Sequence, residues 1–199
     1  MKPETRSLLW IALLAGAAGL VAAFIVNGPG PIWRTELGQR ALQAVIQRDA
    51  PPGLAIAHRD EPLPKVSVMA LDGRRIDLPL PKGRPVLINV WATWCGPCIK
   101  EMPELAAFHR QQGADGVQVI GVALDEAAAV HDWLARRPSP YPHYRDDAGP
   151  RDAGVVLGNT AGVLPYSVLV DAQGVVHKQR VGPFTSETDI VSWSHTDAN

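Results

Sequence analysis

The sequence predicts an α/β domain, a mixed β-sheet flanked by helices with an N-terminal β-hairpin, preceded by a single N-terminal transmembrane helix. Strand and helix patterns alternate from about residue 54 and finish with a hairpin and a helix, an order typical of a mixed sheet with helices on its faces. Val86–Trp91 and Val117–Leu124 are short, largely apolar runs, as expected of strands buried on both faces. Residues 8–26 form an apolar stretch long enough to cross a membrane.

The apolar stretch is the first element of the chain. No charged residue lies between Arg6 and Arg34, and a helix over residues 8–26 would be about 28 Å long. Because cations precede the stretch and none follows it closely, we expect a single-pass protein with a cytoplasmic N-terminus and the remainder of the chain outside the cytoplasm. A cleaved signal peptide is the alternative, since Ala15-Gly16-Ala17 has the pattern of a cleavage site.

The segment after the apolar stretch predicts a stalk. Apolar residues recur every fourth position over Trp33–Arg48, which indicates an amphipathic helix, and a Pro-Pro-Gly run ends it. The predicted parts of the chain are the cytoplasmic N-terminus (residues 1–7), the transmembrane anchor or uncleaved signal (8–26), the stalk (27–53) and the α/β domain (54–199).

The elements of the domain follow from turn signals and periodicity. Asp72-Gly73 predicts a hairpin turn, and Asp125 is placed to cap a helix. The Pro-rich residues 137–150 predict a loop with one edge segment. The predicted elements are the hairpin strands Val66–Leu71 and Arg75–Leu78, the strand Val86–Trp91, the helix Gly96–Gln112, the strand Val117–Leu124, the helices Glu126–Arg136 and Arg151–Asn159, the hairpin strands Tyr166–Val170 and Val175–Arg180, and the helix Ser186–His195.

Composition excludes several classes of function. The 19 basic and 20 acidic residues give a net charge of -1, so we expect no nucleic-acid partner. Two cysteines are too few for a disulfide-stapled scaffold or for an all-cysteine zinc or iron–sulfur site in one chain. We therefore expect no metal and no cofactor.

Both cysteines lie in one motif, Cys95-Gly96-Pro97-Cys98, directly after a buried strand and at the start of a helix. This spacing lets the two thiols close a disulfide within one turn. The free N–H groups and partial positive charge of a helix N-terminus favour a thiolate at Cys95, so Cys95 is predicted to attack and Cys98 to resolve the mixed disulfide. Half of a zinc site and a static disulfide are the alternatives; the first lacks a second ligand pair, and so small a loop would gain little chain entropy.

The segment Val90–Cys98 resembles the active-site segment of the thioredoxin superfamily and, more closely, that of the TlpA/ResA-like branch of membrane-anchored, extracytoplasmic thiol–disulfide oxidoreductases. Further matches are Leu71-Asp72-Gly73, Asn89, Lys100-Glu101-Met102-Pro103 and Gly162-Val163-Leu164-Pro165. The resemblance implies a thioredoxin-like fold and an enzyme that reduces disulfides of client proteins by dithiol exchange. It also implies a location in the bacterial inner membrane, with the domain facing the periplasm.

The resemblance also implies roles for residues around the dithiol. Pro165 matches a cis-proline that faces the cysteines, so that the backbone of Leu164 is offered to a strand-like substrate. Asn89 occupies the position of a buried Asp in many thioredoxins, and Glu101 matches the acid that this branch uses instead. Burial would raise the pKa of Glu101 and make it a proton acceptor for Cys98; a solvated helix residue is the alternative.

The residues at the surface of the motif are expected to contact substrate. Trp94 is predicted to shield the disulfide and touch partners, with Gly96 and Pro97 beside it, whereas Trp91 is predicted to pack in the core. None of the six histidines pairs at i,i+4 spacing with another histidine or a cysteine, so all six are predicted to be structural or solvated.

The expected partners are a client protein with a disulfide, a membrane thiol electron donor and the membrane itself. Apocytochrome c, a copper-site assembly protein and another oxidoreductase are all clients compatible with the resemblance. The competing functions are a copper-handling module, which resembles a longer Cys-x-x-x-Cys spacing that this chain lacks, a non-catalytic anchored binding domain, and a peroxidase, which lacks its Pro-x-x-x-Thr-x-x-Cys segment here.

Overall fold

The computed structural model describes residues 35–47, 50–113 and 115–195. The chain divides into two units, with the boundary between Ala41 and Leu42. Helix α1 (Glu36–Ile46) begins in the first unit and ends in the second, inside the amphipathic helix predicted from the sequence. Among the described residues, no helix is long and apolar enough to cross a membrane. The predicted anchor at residues 8–26 lies outside the described residues.

One seven-stranded sheet organises the second unit, in the order β2-β1-β5-β4-β3-β6-β7. Strands β3, β4 and β5 are parallel to one another, and the other neighbours pair antiparallel, which confirms the predicted mixed sheet. The strands are β1 (Ser67–Met69), β2 (Arg75–Asp77), β3 (Val86–Trp91), β4 (Gln118–Leu124), β5 (His143–Asp146), β6 (Tyr166–Val170) and β7 (Val176–Val181). The helices after α1 are α2 (Gly96–Gln111), α3 (Ala127–Arg136), α4 (Ala153–Val156) and α5 (Glu187–Ser194).

Strand β3 lies inside the sheet, between β4 and β6, and all six of its residues are buried. Successive side chains of a strand point to opposite faces. Val86, Ile88 and Val90 therefore join one core, which includes residues of β1 and α4, whereas Leu87 and Trp91 join the other side, where α2, α3 and α5 pack. This arrangement explains why an apolar run without alternation forms a strand here.

The two hairpins form at the predicted turns. Gly73 and Gly174 have φ of +89° and +86°, a backbone conformation that glycine adopts without steric cost. The β1–β2 hairpin lies at one end of the sheet and β6–β7 at the other.

Two predictions about local structure are wrong. The segment predicted at an edge within residues 137–150 is β5, which lies inside the sheet, because the β1–β2 hairpin pairs with it through Met69 and Arg145. Asp125 does not cap α3: the helix begins one residue later, with Glu126 at the N-cap and no side-chain cap hydrogen bond. The Asp125 carboxylate instead accepts hydrogen bonds from Thr93.

Candidate active site

Cys95 and Cys98 form a disulfide at the N-terminus of α2, immediately beyond strand β3. Cys95 is the N-cap residue, and its sulfur accepts a hydrogen bond of 3.3 Å from the Cys98 amide. Pro97 lies in the first helical turn, where its missing N–H removes no helical hydrogen bond. Strand, cap and proline together account for the helix beginning at this motif.

The two sulfurs differ in their access to solvent. Cys95 is 5% exposed and Cys98 is 0% exposed, so an incoming disulfide can approach only Cys95. The helix N-terminus directs its free N–H groups and partial positive charge at the same sulfur. Both access and electrostatics favour Cys95 as the thiolate that forms on reduction.

Glu101 lies one helical turn after Cys98 and is 1% exposed. Its Oε1 accepts a hydrogen bond of 2.8 Å from the Asn89 side-chain amide, and its Oε2 accepts one of 2.7 Å from the backbone amide of Phe184. Burial raises the pKa of Glu101 to about 7, against the smaller lowering effects of these two donors and of the Arg180 charge. Glu101 is therefore not a solvated helix residue, and its carboxyl is poised to exchange a proton near neutral pH.

Asn89 connects this carboxyl to the sheet. Its amide nitrogen also donates to the hydroxyl of Ser167, on the neighbouring strand β6, at 3.2 Å. The Asn89 side chain is fully buried, so the carboxyl is held by a strand inside the sheet.

The segment before β6 carries the other predicted contact residues. The Leu164–Pro165 peptide bond is cis, in agreement with the resemblance, and Leu164 packs against the cluster that contains both cysteines. Asn159 fixes this segment, because its side chain donates to the Val163 carbonyl at 2.9 Å and accepts from the Val163 amide at 3.0 Å. The structure thus brings Leu164 to the dithiol.

Trp94, Gly96 and Pro97 lie on the exposed surface beside the cysteines, and Trp94 is 70% exposed. Val163, 41% exposed, is an apolar side chain of the segment before Pro165. Trp91 is fully buried, as predicted, and its ring lies 5.1 Å from that of Trp133 and 5.4 Å from that of His143. Exposed apolar side chains at a reactive sulfur are suited to contact with a protein partner.

Sequence reasoning missed three residues that hold the site. Asp125 accepts from the Thr93 amide at 2.9 Å and from its hydroxyl, which anchors the loop that leads to Cys95 on the end of β4. Asn159 and Ser167 are the other two. An aspartate directly after a buried strand was the only sequence signal for any of them, and it also fits a helix cap.

His143 is buried against Trp91 and Tyr141, and burial lowers the pKa of its imidazole to about 4. Gly121 on β4 makes room for it, since a Cβ there would lie 2.3 Å from the ring. Within the described ranges, no group of three or more His, Cys, Asp or Glu residues could hold a metal ion.

Comparisons with known proteins show similarity to thiol–disulfide oxidoreductases. The family model described as Redoxin matches residues 58–192. The chain is 34% identical over 125 residues to the thiol-disulfide oxidoreductase ResA of Bacillus cereus, which covers 62% of this chain and 70% of the relative. It is 38% identical over 104 residues to the thiol:disulfide interchange protein DsbE of Pseudomonas aeruginosa, over 51% of this chain and 53% of that one.

A thioredoxin-related protein from Neisseria meningitidis serogroup B has a similar crystal structure, with a TM-score of 0.55 and 31% identity over 63% of this chain and 93% of that one. The thioredoxin-like sheet and the Cys95–Cys98 pair define a thiol–disulfide oxidoreductase. The chain belongs to the Redoxin family.

Proposed function

We propose that the protein reduces disulfides of client proteins outside the cytoplasm. The observation that carries this proposal is the difference between the two cysteines of the pair, because Cys95 at the helix N-cap is 5% exposed and Cys98 is fully buried, with a carboxyl of pKa about 7 one helical turn further along. The two sulfurs have different tasks, as dithiol exchange requires.

In the reduced protein, the Cys95 thiolate attacks one sulfur of the client disulfide. A mixed disulfide forms, and the other client sulfur leaves as a thiolate that takes a proton from solvent. Glu101 then accepts the thiol proton of Cys98, and the Cys98 thiolate attacks the Cys95 sulfur. The second client sulfur leaves as a thiolate and is protonated, so that two electrons have passed from the protein dithiol to the client.

Client binding uses the surface beside Cys95. Trp94, Gly96, Pro97 and Leu164 are the predicted contacts, and each is exposed or half-buried. An extended client segment would lie along the backbone before Pro165, with its disulfide above Cys95. Clients such as apocytochrome c or a copper-site assembly protein carry accessible cysteine pairs of the kind this surface would admit.

The proposed location rests on the N-terminal sequence. Residues 8–26 would anchor the chain in the inner membrane, residues 1–7 would remain in the cytoplasm, and residues 27–53 would link the anchor to the redox domain at 54–199. A membrane thiol donor would then return electrons to the disulfide. Carbonate washing of membranes should leave the protein in the pellet, and protease added to spheroplasts should reach the domain; release by the wash in a form that begins near Ala18 would mean a cleaved signal.

Trapping on a Cys98→Ser variant tests the proposed reaction. Without the resolving thiol, mixed disulfides should accumulate on Cys95 and be released by a reductant. Cys95→Ser is the matched control and should trap far less. Accumulation on Cys95→Ser instead would reverse the assignment of the two thiols, and no accumulation on either variant would contradict dithiol exchange with protein clients.

A further inference from the structure

Arg180, on β7, is a buried cation away from the two cysteines. It is 4% exposed, and its guanidinium donates to both carboxylate oxygens of Asp189 at 3.0 and 2.8 Å. It also donates to the Pro183 carbonyl at 3.1 Å and lies 4.3 Å from the centre of the Phe184 ring. A bidentate pair with these extra contacts is geometrically defined, so the chain at residues 183–184 is held in one place.

The segment that Arg180 holds is the one that binds Glu101. The Phe184 amide donates to Glu101 Oε2 at 2.7 Å. One residue later, the Thr185 amide and hydroxyl donate to Asp189 at 3.0 and 3.2 Å. The ion pair therefore fixes the backbone on both sides of the Phe184 amide, which is one of the two donors to the Glu101 carboxyl.

Two opposite charges act on Glu101 from this side. The Arg180 charge lowers the pKa of Glu101 and the Asp189 charge raises it, in addition to the larger effect of burial. Hydrogen bonds from Arg180 and Thr185 keep the pKa of Asp189 itself below its usual range, although burial opposes them. Asp189 is thus ionised whenever Glu101 titrates.

The Tyr141 phenol is a further titratable group that interacts with Glu101. Burial, followed by the charge of Glu101, raises the pKa of the Tyr141 phenol, which therefore stays protonated. The Asn89 amide on β3 donates to Glu101 and also to the Ser167 hydroxyl on β6, and both of these groups are neutral. Arg180 and Asp189 are the two charges that shift the pKa of Glu101, so substitution of either one should adjust it.

We propose that Arg180 and Asp189 are positioning residues for the proton transfer at Glu101, because the pair holds the Phe184 amide on the carboxyl and balances the charge beside it. This inference rests on the proposed function, in which Glu101 accepts the proton of Cys98. The pair acts through Glu101 and does not touch the reacting sulfurs.

The test separates the two steps of exchange. Reduced protein mixed with the reagent 5,5′-dithiobis(2-nitrobenzoate) in a stopped-flow instrument releases one thiolate when Cys95 attacks and a second when Cys98 closes the disulfide. The rate of the second release, measured against pH, should rise through the pKa of Glu101. The part of the profile over which this rate rises with pH is the acid limb, and its midpoint is the readout. A residue that only stabilises the fold would not move that midpoint.

Arg180→Met removes the attracting charge and leaves Asp189 unpaired, so we expect the limb to move to higher pH. Asp189→Asn removes the repelling charge and keeps one carbonyl oxygen as an acceptor for Arg180 or Thr185, so we expect the limb to move to lower pH. Each shift should be about half a pH unit or more. Arg84→Gln, which removes a cation bonded to Gly113 and Gly116, is the matched control and should leave the limb in place.

Shifts of both variants in the same direction, an unmoved limb, or an equal shift in Arg84→Gln would overturn the inference. If Arg180→Met does not fold, Asp189→Asn decides: a shift to lower pH supports the inference, and no shift or a shift to higher pH overturns it. Glu101→Gln separates the proposed role of Glu101 as proton acceptor from the proposed role of Arg180 and Asp189. A limb that persists in Glu101→Gln would contradict the role of Glu101 itself, whereas a limb lost there but unmoved by the charge variants would contradict only this inference.

Discussion

The side-chain amide of Asn89, inside the sheet, donates a 2.8 Å hydrogen bond to the carboxyl of Glu101 on the redox helix. The resemblance implies that many thioredoxins have a buried Asp at the position of Asn89. In this chain Asn89 on β3 is a hydrogen-bond donor, and the acid is Glu101 on α2. The titratable group is thus a buried carboxyl on the same helix as Cys98, one turn after it. That group also sets how both rate and stability respond to pH.

The rate of disulfide closure should depend on Glu101. We expect Glu101→Gln to slow the second thiolate release on the order of 100-fold at neutral pH, because a general base of this kind contributes at least that much. The first release, by Cys95, should change much less. Stopped-flow release measured over a range of pH checks this, and a wild-type rate for the second phase would place Glu101 outside the reaction.

Stability should respond to the same carboxyl. The folded-state pKa of about 7 lies above the ordinary value of 4.5, so the stability that protonated Glu101 contributes is present below pH 4.5 and is lost as pH rises through 7. Relative to wild type, oxidised Glu101→Gln should therefore gain about 3 kcal/mol of unfolding free energy between pH 4 and pH 8. Urea unfolding of both proteins at each pH measures the difference; a difference that is constant with pH would mean an ordinary carboxyl.

His143 should produce the opposite dependence. Burial lowers its folded-state pKa from 6.5 to about 4, so the stability of the neutral ring is present above pH 6.5 and is lost as pH falls through 4. The unfolding free energy of His143→Leu relative to wild type should then be greater at pH 4 than at pH 7 by about 3 kcal/mol. His177→Leu, at a half-buried histidine on β7, is the control and should show a much smaller difference.

The loop before Cys95 should depend on its bond to β4. Thr93→Val keeps the shape of the side chain and removes the hydroxyl that donates to Asp125, so we expect a loss of about 1–2 kcal/mol in the unfolding free energy. The loss should be much smaller in an Asp125→Ala background, where the acceptor is already absent. Equal losses in both backgrounds would show that the hydroxyl acts through something other than Asp125.

Local patterns predict most of the fold but few of the contacts that hold the site. The apolar run Val86–Trp91 and the Gly turns specify their elements because period and backbone conformation are local properties. Strand β5 falls in the Pro-rich residues 137–150, which predict a loop with one edge segment. Its place inside the sheet depends on the distant β1–β2 hairpin.

In the candidate site, too, local sequence predicts some features and not others. The Cys-x-x-Cys spacing predicts the redox pair, since both sulfurs belong to one helical turn. The burial of Glu101 required a resemblance to other proteins, because its donors Asn89 and Phe184 are 12 and 83 residues away. The bonds from Thr93 to Asp125 and within the Asn159–Val163 segment depend on tertiary packing or on loop conformation, and neither leaves a periodic pattern in the sequence.

The reduction potential of the Cys95–Cys98 pair tests most directly whether the protein works as a reductase. Gly96 and Pro97 carry no side-chain donor or charge that could add strong stabilisation to the Cys95 thiolate, and a strong oxidant requires such stabilisation of its reduced form. Equilibration of the domain with glutathione buffers, followed by thiol trapping, gives the potential. We expect a value closer to the roughly -270 mV of thioredoxin than to the roughly -120 mV of DsbA. A value more positive than about -160 mV would contradict the proposed reductase function.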